Sequence, residues 1–314
     1  MKQRIYIRPA RASDVDRIAM FCAANPGPGS TVKNLAQLAE SECLLEARHE
    51  GHLAGVVGLD LHERAVAGPW IRPRALSGDL GQRMLEAAER LAVQFGMTQL
   101  IVHPAQNATA FFADSGYWKV AGGLGRGNAR PGMSRSIIRR TTRFARNVRE
   151  IGEELGIPGD YGARHCLRLQ PEARKLASIG EDIYGREQKL APRAAAAWKS
   201  MARAAGEAGI AVQAVSAFRT VDYQAELIRR KLEKGQRLEQ ILAVSAAPGY
   251  SEHHSGRAID VTTPGSEVLE EPFENTTAFE WLIQNAGNFG FRLSYPRGNP
   301  HGVAYEPWHW AWKL

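Results

Sequence analysis

Cysteine is scarce in this chain: three residues, Cys22, Cys43 and Cys166, in 314. They are too few and too scattered for a disulfide framework or a thiolate metal cluster. Long apolar runs are missing as well. No stretch approaches the roughly twenty apolar residues of a membrane span, and the opening Met-Lys-Gln-Arg-Ile-Tyr-Ile-Arg has no apolar core of signal-peptide length. The expected location is therefore the cytoplasm. No nucleic-acid motif or aromatic interleaving accompanies the basic residues, so the net charge of +7 points to anionic small ligands rather than nucleic acid. What remains is ordinary globular material, 44% hydrophobic and 23% charged, long enough for two domains that each bury a core. Nothing here fixes an oligomeric state.

The chemistry is concentrated near the end. Ser251-Glu-His253-His-Ser-Gly256-Arg-Ala258-Ile-Asp260 is followed by Glu306-Pro-Trp-His309. Two imidazoles and one carboxylate are the ligand set of a catalytic zinc, which keeps a fourth position open for water. Glu306 is then left over as a base. The run Ala258-Ile-Asp-Val reads as a strand with Asp260 toward the site and Ile259 toward the core. Ser255-Gly256 folds the chain back, bringing His253 to Asp260. A strict strand would put Glu306 and His309 on opposite faces, since three is an odd step in a period of two. Pro307 resolves this by bending or ending the strand. Trp308 and Trp310 are expected to pack to either side of His309 and hold it. His254 reads as a neighbour rather than a ligand, His301 as a possible substrate contact, and His49, His52, His62, His103 and His165 as ordinary residues. A closed structural zinc is the competing reading; it would use four protein ligands and leave no spare carboxylate.

These residues resemble the VanY-like D-Ala-D-Ala carboxypeptidases, zinc peptidases that trim peptidoglycan stem peptides. The likeness rests on Ser-x-His-x-x-Gly-x-Ala-x-Asp, on Tyr305-Glu306-Pro307-Trp308-His309-Trp310, and on Val215-Ser-Ala-Phe-Arg219-Thr-Val-Asp-Tyr-Gln224 upstream. It covers roughly residues 160–314. The resemblance implies an α+β domain with Zn2+ on His253, Asp260 and His309. It makes Glu306 the general base and Arg219 the cation facing the scissile carbonyl, and gives Ser251 and Gln224 to the substrate's carboxylate or to ordering the site. The implied substrate is a short peptide ending in a D-amino acid.

The first half reads differently. Residues 5–18 open as a strand followed by a helix with Ser13 as N-cap; residues 44–59 form a hairpin; residues 80–95 carry a helical apolar stripe of Leu80, Met84, Ala88, Leu91 and Phe95. A buried strand at residues 100–102 and a helix at residues 108–114 follow. This order, the Ile-Arg-Pro-Ala opening and the segment from Asn107 through Phe112 to Tyr117 resemble the GNAT acetyltransferases over about residues 1–141. The implied domain is α/β, a central mostly antiparallel sheet with helices, that binds acetyl-CoA. Gly78, Gly81 and Asn107 are its candidate contacts. Asp79 puts a negative charge in the loop that faces the pyrophosphate, and Phe112 stands where many members have a tyrosine. A degenerate domain kept for packing or capture is the competing reading.

Between the halves, residues 135–149 hold six arginines, of which Arg139, Arg143 and Arg146 recur at helical spacing and read as one solvated face of a linker helix over residues 142–159. An alanine-rich helix with Trp198, Met201 and Ala205 then leads into a strand that delivers Arg219. The expected chain is a GNAT-like domain joined to a zinc D,D-peptidase domain. Hydrolysis near the C-terminus of D-Ala peptides is the leading reading. The alternatives are acetylation of an amine on a cell-wall peptide, with the zinc domain acting as a different stem-peptide endopeptidase or as a peptide binder that does not cut.

Overall fold

The computed structural model describes residues 5–25, 34–72, 79–105, 108–120 and 132–313. Two compact units emerge: Met1–Arg143 with Gly162–Arg168, and Phe144–Tyr161 with Leu169–Leu314. The helix Arg143–Glu154, read from sequence as a linker, thus belongs almost wholly to the second unit, where Ala145, Val148 and Ile151 are buried. Gly162–Arg168, further along the chain, belongs to the first.

The first unit is built on a sheet of β1 (Tyr6–Pro9), β2 (Leu44–His49), β3 (His52–Asp60), β4 (Ala65–Ile71), β5 (Gln99–Val102), β6 (Trp118–Lys119) and β7 (Met133–Ser136). Its order is β1-β2-β3-β4-β5-β7-β6, and among the described residues only β4 and β5 run parallel. The expected hairpin is β2–β3, antiparallel from Leu44 opposite Gly58 to His49 opposite His52. Helix Leu80–Gln94 buries Leu80, Met84, Ala88 and Leu91 against the sheet, as its 3.6-residue spacing dictates.

One expectation fails here. Ser13 lies inside a 3-10 turn, Ala12–Asp14, and the following helix takes Asp14 as its N-cap, with no side-chain cap bond. Arg139, Arg143 and Arg146 are exposed, as a solvated face requires, but Arg135 and Arg140 of the same run do other work. Arg135 sits in β7, and its Nη1 is 2.9 Å from Glu89 Oε1, while Arg140 Nε is 2.6 Å from Glu89 Oε2. Glu89 has no exposed side-chain surface, so these arginines neutralise a buried carboxylate that unpaired would cost several kcal/mol.

The second unit carries a β8 (Ala177–Glu181) and β9 (Glu187–Leu190) hairpin. Beyond it lies an antiparallel sheet of β10 (Gln213–Ser216), β11 (Ala258–Thr262), β12 (Phe291–Leu293) and β13 (His309–Trp312), in the order β10-β11-β13-β12. Helix Pro192–Glu207 buries Trp198, Met201 and Ala205, and Leu282, Phe291, Ile259, Val261, Trp310 and Trp312 complete the core. Ile259 and Val261 point into this core, which leaves Asp260 on the other face, as strand alternation requires.

Candidate active site

Four segments converge on that other face. A 3-10 turn, Glu252–Ser255, follows Ser251 and ends on Gly256 at φ 64°. A Cβ there would lie 2.9 Å from the Ala191 nitrogen, so both dihedral and space demand glycine. The reversal returns His253 to β11, where Asp260 pairs directly across from His309 of β13. β13 begins only at His309; Pro307 and Trp308 form a turn in which the His309 N–H donates to the Glu306 carbonyl at 3.1 Å. That break absorbs the odd three-residue step and leaves Glu306 Oε2 3.7 Å from His309 Nδ1.

The tautomers follow from the partners. His253 Nδ1 lies 2.6 Å from the Ala217 carbonyl oxygen, which accepts only an N–H, so Nε2 keeps its lone pair. That Nε2 is buried, 3.2 Å from Asp260 Oδ2, and has no hydrogen-bond partner among the described residues. Burial, then the Arg219 charge, pushes His253 down to about 4, leaving it neutral at pH 7. His309 sits between two carboxylates: Nδ1 is 3.0 Å from Asp260 Oδ1 and Nε2 is 3.1 Å from Glu252 Oε2. Burial opposes its charge, yet Asp260 and Glu252 outweigh that and push it up to about 10. Burial would raise Asp260, but the two imidazoles hold it well below the usual carboxylate range. Glu306 is pushed the other way, up to about 7, chiefly by burial.

One ligand atom from each of His253, Asp260 and His309 falls within 4.8 Å of the others. Two nitrogens and one oxygen, all buried, suit a borderline cation such as zinc with one position open. The orphaned His253 Nε2 and the strong bias toward positive charge at His309 both fit such an ion.

Arg219 reaches the same place from the loop after β10, its Nη2 3.3 Å from Asp260 Oδ2 and its Nη1 3.3 Å from Gln224 Oε1. Gln224 Nε2 donates to the Ala246 carbonyl at 3.0 Å, so this buried amide is engaged at both ends. Gln224 thereby orders the Arg219 side chain, one of the two roles the sequence reading left open for it. Ser251 is buried at the start of the turn. His254 is a structural tie: Nδ1 is 2.7 Å from the Arg219 carbonyl, and Nε2 accepts from the Gly249 N–H at 3.1 Å. The two tryptophans do not straddle His309. Both pack into the core on the opposite side, because residues 308 and 310 share a parity that 309 does not.

Three participants escaped the sequence reading. Glu252 fixes His309 through Nε2 and also pairs with Lys313 Nζ at 3.1 Å; its place next to a ligand was the available signal. Tyr295 lays its buried ring 4.9 Å from that of His309, and the Ala217 carbonyl sets the His253 tautomer. Neither has a sequence signature.

In the first unit, Gly78 and Asn107 lie outside the described residues. Gly81 is in the first turn of helix Leu80–Gln94, where a Cβ would press to 3.1 Å on Ile71 and Phe111. Phe112 is fully buried against Phe111 and Tyr117, with ring centroids 5.1 and 5.8 Å away.

Comparison with known proteins places this geometry. Residues 187–313 match the profile of the family described as VanY, D-alanyl-D-alanine carboxypeptidase. YodJ of Bacillus subtilis strain 168, named among the carboxypeptidases, is 30% identical over 166 residues, 51% of this chain and 57% of that protein. The chain thus spans little more than half the length of that relative. The bifunctional D-Ala-D-Ala dipeptidase and carboxypeptidase VanXYC of Enterococcus gallinarum is 33% identical over 155 residues, 46% of this chain and 75% of the relative. Among solved structures, the vancomycin-resistance D,D-pentapeptidase VanY in complex with Zn(II) is 26% identical over 46% of this chain and 82% of its own, TM-score 0.37. N-acetylglutamate synthase from Neisseria gonorrhoeae, complexed with coenzyme A and L-arginine, is 19% identical over 43% of this chain and 34% of its own, TM-score 0.36. A likeness at that level assigns neither a fold nor an activity.

Proposed function

This chain belongs to the VanY family of D-alanyl-D-alanine carboxypeptidases, and from that footing we propose that it is a metallopeptidase hydrolysing a peptide bond near the C-terminus of peptidoglycan-type peptides that end in D-alanine. The observation that carries the reading is the meeting of His253, Asp260 and His309 within 4.8 Å, with the Glu306 carboxylate at their edge. Zn2+ held by these three would supply Lewis acidity toward water and the substrate carbonyl.

The chain's own groups do the rest. Glu306, brought to about 7 by burial, accepts a proton from the attacking water near neutral pH and returns it to the leaving amine. The Arg219 guanidinium, anchored by Gln224, stands beside Asp260 to meet negative charge on the carbonyl oxygen. Glu252 and the Ala217 carbonyl hold the two imidazoles in the tautomers that turn Nδ1 of His309 and Nε2 of His253 inward. Mass spectrometry of the zinc-loaded protein with D-Ala-D-Ala, a pentapeptide and a tetrapeptide tests the assignment. Loss of a terminal D-Ala that disappears in Glu306→Gln is expected; intact peptides with wild-type protein refute it.

For the first unit the proposal is a GNAT-type fold, supported by the mostly antiparallel sheet whose one parallel pairing, β4 with β5, joins only Ala65–Ile101 and Val66–Val102. Acetyl-CoA is its proposed ligand. Calorimetric titration of acetyl-CoA into the full chain tests this, and absence of binding at millimolar cofactor leaves the unit as a scaffold.

A further inference from the structure

Behind the turn that carries His253 lies an open cavity of about 400 Å³. Arg174, Lys175 and Arg257 line it together with Gln170 and Ser255, and it shares no residue with the metal group, Glu306 or Arg219. No acidic side chain lines it. The acid nearest in sequence, Glu172, is turned elsewhere, its Oε1 accepting from the Val221 N–H at 2.7 Å. Glu252 is likewise engaged, by His309 and Lys313. Among the described residues no ion pair within 4.0 Å involves Arg174, Lys175 or Arg257.

The walls are fixed rather than loose. The Ala173 N–H donates to the His254 carbonyl at 2.9 Å and the Ala191 N–H to the Gly256 carbonyl at 2.7 Å. Ser255 Oγ donates to the Glu252 carbonyl at 2.6 Å and accepts from the Arg257 N–H at 3.2 Å. The Arg257 guanidinium lies 5.9 Å from the Trp312 ring centroid, and Arg193 lies 5.4 Å from the same ring. Three like charges around one concavity repel each other and raise the local positive potential, so an anion that enters is held by all three. Guanidinium forks match the planar oxygens of carboxylates and the oxygens of phosphates.

We propose that this cavity is a binding site for a small oxyanion of at least two negative charges, a phosphate group or a dicarboxylate, separate from the peptidase centre. Inorganic phosphate and succinate, titrated calorimetrically into the full-length chain at low ionic strength, are the probes. Saturable binding of either is expected, and the stronger of the two identifies the source of the charge. Arg174→Ala/Arg257→Ala should weaken it by roughly tenfold or more, as loss of charge-assisted hydrogen bonds requires. Lys199→Ala/Arg203→Ala removes the same net charge from exposed positions that do not line the cavity, and should leave the affinity within about twofold. All three cavity cations are exposed, so the variants should melt like the parent. No binding of either anion, or equal weakening in both double variants, overturns the proposal.

Discussion

Glu252→Ala is the most informative single change. Its carboxylate is the partner of His309 Nε2 at 3.1 Å, and His309 retains only 4% of its side-chain surface. Removing the carboxylate strands a buried N–H with no replacement partner, a cost of about 1–3 kcal/mol. The second contact of Glu252, to Lys313, adds little, because that lysine is about half exposed. Deleting the outer partner of a ligating histidine costs about 10–100-fold in metal affinity or activity, or roughly 1.4–2.7 kcal/mol, so the two estimates agree. Competition against a chromophoric chelator measures zinc affinity directly, without peptide hydrolysis. Glu252→Gln keeps a hydrogen-bond acceptor without the charge, and should fall between wild type and alanine. Zinc affinity unchanged in Glu252→Ala, with an unchanged melting curve, would refute the claim that this carboxylate orients His309.

Further outcomes follow from other parts of the structure. Glu306→Gln should abolish peptide hydrolysis while zinc, measured by mass spectrometry of the native protein, is retained; loss of the metal as well would move Glu306 into the ligand set. Ile259→Ala, at a position with no exposed surface in the core behind Asp260, should lower stability by about 2–5 kcal/mol in denaturant titration. Gly256→Ala forces a Cβ to 2.9 Å from the Ala191 nitrogen at a positive φ, and should lower both the melting temperature and zinc affinity. Burial would raise the Glu46 carboxyl, but hydrogen bonds from Arg48 and Arg8 hold it below its ordinary value. Its stabilisation of the first unit is therefore complete above the unfolded pKa and is lost as pH falls through the folded one. Melting curves of Glu46→Gln should be flatter than wild type on the acid side.

Much of the candidate site was legible because its residues sit in a strand and a turn with local rules. Alternation in Ala258-Ile-Asp-Val separates Asp260 from the core, Gly256 permits the reversal, and Pro307 marks where β13 cannot begin. The long helix Leu80–Gln94 and the β2–β3 hairpin were legible for the same reason. What was not legible depends on partners distant in sequence. Nothing near Arg135 and Arg140 in sequence announces Glu89, some fifty residues earlier and buried under them. Gln224 is open in sequence to a substrate contact or to ordering the site, and its bonds to Arg219 and the Ala246 carbonyl come from partners that sequence spacing does not reveal. Tyr295 lies in a loop with no periodicity and is recognisable only by its ring against His309. Large neighbours such as the tryptophans do not hold His309; Asp260, Glu252 and Tyr295 do.

The central claim is that His253, Asp260 and His309 grip a single divalent ion. Zinc content and coordination, measured by elemental analysis and X-ray absorption on the full-length protein and on His253→Ala/His309→Ala, test it most directly. The account predicts stoichiometric zinc in a nitrogen- and oxygen-only shell containing two imidazoles, lost in the double variant. A protein that takes up no zinc, or a double variant that keeps it, would contradict the account.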